Sequence, residues 1–234
     1  MTKLPNQPQA KRIVSQQLFV FMGLLSAIAG LLGCGRSTPS APPVPPGTPV
    51  TAQLNHKLMP LDRGDRYEDP LNEELQKHGF GEADGGGTMM LKTKEIEYID
   101  VELFLTQTDK SIPFVIERLE SYGAPKGSKL ILHDGEKKTE IPFGKAEGVG
   151  IYLDGLNLPD EVYKSCDVNV VIDELNKLVK GHGNIQGHWQ GPTETALYIY
   201  GDEAELMKKL IEPYMASYPL CKGARVVTIA PIQQ

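Results

Sequence analysis

The sequence predicts an α+β fold organised on the ferredoxin-like order β-α-β-β-α-β, an antiparallel sheet with its helices on one face. Three observations predict it. From Val149 to Ala230, runs of two-residue periodicity and runs of helical periodicity alternate in that order. A turn signal, Gly191-Pro192, separates two of the strands. Ser121-Tyr122 with Lys126-Gly127 returns as Ser217-Tyr218 with Lys222-Gly223 at a constant offset of 96, so a partial β-α-β repeat precedes the unit.

The elements follow in order. Pro70 to Gly79 reads as a short helix with Pro at its start and Gly at its end. The next stretch, GFGEADGGGT, follows a helix and leads into a strand, the reverse of a phosphate loop, and reads as a flexible connector. Ile99, Val101, Leu103 and Leu105 alternate with Asp100 and Glu102, a half-buried strand. Ile112 to Tyr122 is helical, Lys129 to His133 a strand, and Lys137 to Phe143 an edge strand because it contains Pro142. Val149 to Asp154 is a strand. Asp167 to Lys180 places Val168, Val171, Ile172, Leu175 and Leu178 on one helical face. Ile185 to Gln190 and Thr195 to Tyr200 form a hairpin, Asp202 caps a helix running to Tyr218, and Arg225 to Ala230 is the last strand.

The N-terminus has a different character. Residues 1 to 17 carry Lys3, Lys11 and Arg12 and no acid, and Leu18 to Leu32 is an apolar run of fifteen residues. That is the pattern of a signal peptide, and the run is shorter than the roughly 18 to 20 residues a membrane-spanning helix needs. It ends in Leu31-Leu32-Gly33-Cys34, which resembles the lipobox of bacterial lipoproteins. The resemblance implies cleavage before Cys34, acylation of Cys34, and insertion of the acyl chains into a lipid bilayer. Two or three chains, at about 0.8 kcal/mol per buried methylene, give stable anchoring. Gly35 stands where an Asp would retain a Gram-negative lipoprotein at the inner membrane, so the resemblance also implies an outer-membrane anchor facing the periplasm in a cell with two membranes. The domain plan is then 1–33 cleaved signal peptide, 34–57 lipidated Cys and Pro/Ser-rich tether, 58–95 mixed connector with a short helix, and 96–234 tandem ferredoxin-like domain.

Removing residues 1 to 33 takes three of 24 basic residues and none of the 30 acidic ones, leaving a formal charge of −9. That balance argues against nucleic acid as a partner and suits a basic protein. With Cys34 lipidated, Cys166 and Cys221 are an even pair in an exported chain. The topology puts them at one end of the sheet, where a disulfide would contribute about 4 kcal/mol. Two free buried thiols are the alternative.

Chemistry is sparse. No GxSxG or HExxH motif occurs, and His182 and His188, on a Gly-rich turn with no third ligand, read as loop histidines. No catalytic residue, metal or cofactor is expected, and the competing class is a hydrolase using surface carboxylates or a structural envelope component. If helices cover the face bearing Ile99, Val101, Leu103, Ile151, Leu197 and Ile199, the other face carries Asp100, Glu102, Tyr152, Asp154, Tyr198 and Tyr200. An acidic, tyrosine-rich face is the composition of a recognition surface. A second sheet or the residue 51 to 92 segment lying over that face is the alternative. Residues 58 to 230, through phrases such as GPTETALYIYG and YPLCKGARVV, resemble small acidic bacterial domains, some of them immunity proteins that neutralise toxins. The resemblance implies a tethered, non-catalytic inhibitor.

Overall fold

The computed structural model describes residues 46–231. The expected signal peptide, the lipobox-like segment with Cys34, and the first half of the expected tether, residues 34–45, lie outside the described residues. The rest is two ferredoxin-like halves in tandem. The first contains β1 (Thr48–Leu54), α1 (Pro60–Arg63), a π turn (Gly64–Glu68), α2 (Asp69–His78), β2 (Gly81–Met90), β3 (Ile96–Leu105), α3 (Thr108–Ser121), β4 (Ser128–Asp134) and β5 (Lys137–Phe143). The second contains β6 (Glu147–Asp154), α4 (Asp160–Ser165), α5 (Val168–Leu178), β7 (Gly183–Gln190), β8 (Glu194–Gly201), α6 (Ala204–Ser217), a 3-10 turn (Pro219–Cys221) and β9 (Arg225–Ala230). The sheets run β2-β3-β1-β4-β5 and β7-β8-β6-β9. In each, the first strand lies between the third and the fourth, every strand pair is antiparallel, and the order is ferredoxin-like.

Each half buries its own core. In the first, Val50, Ala52 and Leu54 of β1 and Ile99, Val101, Leu103 and Leu105 of β3 meet Leu71 and Leu75 of α2 and Val115 and Leu119 of α3. In the second, Val149, Ile151 and Leu153 meet Val171 and Leu175 of α5 and Met207 and Ile211 of α6. The period-2 and period-3.6 patterns bury one face of each element, and the helix layer covers that face. The Asp167 carboxylate accepts a hydrogen bond from Asn169 N at 2.8 Å and so caps α5. Asp202 does not cap α6. The Ala204 amide at the start of that helix donates instead to Glu147 of β6 at 2.7 Å.

Several expectations are corrected. Thr48–Leu54, assigned to the tether, is the central strand of the first sheet, paired on one side with β3 and on the other with β4. The glycine-rich connector is β2, a strand bulged between Ala83 and Gly86. Gly86 passes so close to β3 that a Cβ would lie 2.1 Å from the Asp100 carbonyl oxygen, which only glycine permits. The partial repeat is thus a whole ferredoxin-like unit with one added strand, β5. α3 starts at Thr108 rather than Ile112. Among the described residues no helix is long and apolar enough to cross a membrane.

Cys166 and Cys221 are free thiols, so the expected disulfide is absent from the structure. Both border the second core, Cys221 buried and Cys166 half-exposed. Burial, and secondarily the nearby Cys166, push the Cys221 thiol up to about 11. At pH 8 the thiolate, the reacting species, is scarce at Cys221. Iodoacetamide is therefore expected to alkylate Cys166 well before Cys221 in the native chain, and both at equal rates in urea, as read by peptide mass spectrometry.

Candidate functional site

Two polar assemblies occupy the sheet faces turned away from the helices. The first is a seam between the halves. β6 and β8 direct Tyr152, Tyr198 and Tyr200 off the second core, toward Asn55, His56 and Lys57 leaving β1 and toward Glu95 entering β3. Glu95 Oε1 accepts hydrogen bonds from the hydroxyls of Tyr152 and Tyr198, each at 2.8 Å, and lies 3.0 Å from Lys57 Nζ. Lys57 Nζ also donates to Ile96 O at 2.6 Å. The Lys57 amide donates to Tyr200 Oη at 3.0 Å, and Asn55 Nδ2 donates to Ile229 O at 3.1 Å. The His56 ring centre is 4.1 Å from that of Tyr200, and its Nδ1 is 2.8 Å from Tyr67 Oη.

The charges follow from this geometry. Burial works to raise the Glu95 pKa, but the Tyr152 hydroxyl, the Lys57 ammonium and the Tyr198 hydroxyl outweigh it and hold Glu95 below the usual carboxylate range. Burial, then the bond to Glu95, raises Tyr152 and Tyr198, and burial raises Tyr200. His56 is wholly buried; burial, then the Arg66 charge, lowers its pKa well below 6.5. Its Nε2 and Gln186 Oε1 are buried without a hydrogen-bond partner.

A pH dependence follows, with its sign fixed by two depressed pKa values. Unfolded His56 takes up a proton near its ordinary value of 6.5, whereas folded His56 resists it. The stability tied to the neutral ring is complete above that pH and drains away as pH falls below it. Glu95 adds a second loss below its ordinary value of 4.5. The urea midpoint is expected to fall steadily from pH 7 to 4, and His56→Gln is expected to flatten the upper part of that decline.

The second assembly is the solvent-facing side of the first sheet, whose rows are set by strand register. One row runs Gly87, Asp100, Gln53, Lys129, and the next runs Glu102, Thr51, Ile131, Glu140. Gln53 Nε2 donates to Asp100 Oδ1 at 3.3 Å. Thr51 Oγ1 donates to Glu102 Oε2 at 3.0 Å and lies 2.9 Å from His133 Nε2, which donates to it in the matching tautomer. Gly87 presents no side chain beside Asp100, where a Cβ would lie 3.9 Å from the carboxylate Oδ2. Burial, and the negative charge of Glu102, raise the Asp100 pKa against the pull of Gln53. Such a face can accept hydrogen bonds from a cationic group at Asp100 and Glu102.

The six residues expected to share one recognition surface therefore divide. Asp100 and Glu102 remain on an accessible face. Tyr152, Tyr198 and Tyr200 are 8 %, 1 % and 1 % exposed, because the segment leaving β1 covers them. Asp154 accepts from the Leu156 and Asn157 amides at 2.8 and 2.9 Å and fixes the turn after β6, and those amides lower its pKa. Thr51, His133, Lys57 and Glu95 were not singled out by the sequence. Each sits on a different segment, and only strand register brings it to the site.

No protein-family model and no curated protein matches the chain. A solved structure that does match is the crystal structure of the first two RRM domains of yeast poly(U) binding protein (Pub1), at 11% identity and a TM-score of 0.22, covering 77% of this chain and 99% of that one. The expectation that nucleic acid is excluded is withdrawn: the matched protein is named for binding poly(U), a property stated of that protein. Net charge is a sum over the whole chain and does not describe a face such as this one, where Lys129 and His133 stand beside the acids. At that TM-score the likeness carries no argument for what this chain binds.

Proposed function

We propose that the chain is an exported lipoprotein, anchored in a bilayer through acylated Cys34, that works without catalysis as a binding module for a basic protein. The observation that carries the binding part is the accessible pair Asp100 and Glu102, flanked by Gln53 and Thr51, which hold the carboxylates in place. The anchoring part is supported by the lipobox-like segment Leu31-Leu32-Gly33-Cys34. A tether also raises the effective concentration of the face near the membrane, as an immunity or inhibitor protein against an incoming toxin needs.

Two measurements test the reading. Cys34→Ser is expected to abolish lipid labelling and release the protein from the membrane fraction. Asp100→Asn with Glu102→Gln is expected to weaken a stoichiometric basic partner about tenfold per charge, ~1.4 kcal/mol each, with the urea midpoint within about 0.5 kcal/mol of the parent. Because the folded state holds Asp100 at a raised pKa, its neutral replacement does not cost the fold stability at neutral pH. A partner that binds the double variant undiminished refutes the assignment of this face.

A further inference from the structure

We infer that β9 is an assembly edge, on which a second copy of the chain adds its own β9 in antiparallel fashion to join two four-stranded sheets into one of eight strands. The repeat supplies the first argument. β4 of the first half is the counterpart of β9, and its outer edge carries β5 in continuous antiparallel register from Ser128↔Phe143 to Asp134↔Lys137. Through that strand Ile141 and Phe143 close the flank of the first core. The second half has no counterpart of β5 among the described residues. Among the described residues β9 pairs only with β6, and beside it an open groove of about 400 Å3 runs along α6, with Ile211, Met215 and Val226 on its apolar floor.

The second argument is how the edges are guarded. Exposed edges are normally blunted by charge, proline or bulges. β5 carries Lys137, Lys138, Glu140 and Pro142, and β2 and β7 are bulged within their length. β9 holds regular register with β6 from Arg225 to Thr228, is bulged only at the end of its pairing, between Thr228 and Ala230, and after Arg225 contains no charge. Val227 lies exposed at its centre. Such an edge invites pairing.

The third argument selects the occupant. A two-fold contact must be complementary to itself. The groove rim carries Glu205 and Glu212 together with Lys208 and Lys209, with Lys208 paired to Glu205 at 2.8 Å and Glu212 left to face charge from outside. A two-fold axis at the β9 edge sets the two α6 helices antiparallel, bringing Glu212 of each toward Lys208 of the other, while Val226 of each added strand meets the groove floor of its neighbour.

The test is sedimentation equilibrium of the full chain in density-matched detergent across about 1 to 100 μM, with hydrogen exchange of the β9 amides at both ends of that range. The expected result is twice the chain mass and slower β9 exchange at high concentration. Val227→Lys is expected to raise the dimer dissociation constant at least tenfold and to abolish the concentration dependence of β9 exchange, with the urea midpoint unchanged. A monomer throughout the range overturns the inference, as does a dimer that Val227→Lys leaves intact.

Discussion

Glu95→Ala is expected to destabilise the chain by about 3 to 5 kcal/mol, read as a drop in the urea midpoint at pH 7. Breaking a buried ion pair from one side costs this much because the remaining charge stays behind without its partner. Here the remaining charge is Lys57, whose side chain is 12 % exposed, and two tyrosine hydroxyls lose their acceptor as well. Glu95→Gln keeps an oxygen acceptor for one or both hydroxyls while removing the charge, so it is expected to recover part of the loss. The pH profile separates the two contributions. Glu95→Ala removes the step below pH 4.5 that the depressed Glu95 pKa produces, and leaves the His56 decline below pH 6.5 in place. An alanine variant within 1 kcal/mol of the parent would mean that the seam does not hold the halves together.

Gly187→Ala attacks the same seam by volume. A Cβ at Gly187 would lie 2.4 Å from the Lys57 carbonyl oxygen, a backbone atom that cannot swing aside. Overpacking of this kind costs roughly 1 to 3 kcal/mol. The displacement falls on the contact between β7 and the segment leaving β1, so its expected signature is a loss of cooperativity: two urea transitions, one for each half, where the parent has one. Gly64→Ala, at a position with open space around its Cβ, serves as the control and keeps a single transition.

The second half was legible because its strands and helices carry strong apolar periodicity, each bounded by a turn signal; β6, α5, β8 and β9 all lie within a few residues of where the pattern puts them. The first half was legible only from β3 onward. β1 does alternate, with Val50, Ala52 and Leu54 inward and Thr51 and Gln53 outward, but it is short and follows a Pro-rich stretch whose composition dominates. β2 has no apolar alternation to read, since its glycines are there for a bulge and for close approach to β3. The topological argument about the tyrosines was sound as far as it went: they do lie on the face opposite the helices. Which face stays wet depends on where β1 leads; the alternative that the residue 51 to 92 segment lies over this face is the one the structure shows, and without β1 the sequence did not say that His56 and Lys57 are the part that covers the tyrosines. Asp100 and Glu102 escaped that fate because they belong to the other sheet. For the cysteines, topology brought both to the edge of one core, but proximity of elements does not form an S–S bond.

β1 has a mechanical consequence. It is the first described strand, and it is bonded along both sides, to β3 from Thr48 to Leu54 and to β4 from Val50 to Gln53. Tension delivered through the segment ahead of Thr48 acts along the strand and loads both ladders in shear. All of those hydrogen bonds share the load and must yield together, whereas a strand pulled from a sheet margin unzips one bond at a time. A chain held at that end and dragged by flow or by a bound partner would meet its greatest resistance at the first strand the force reaches.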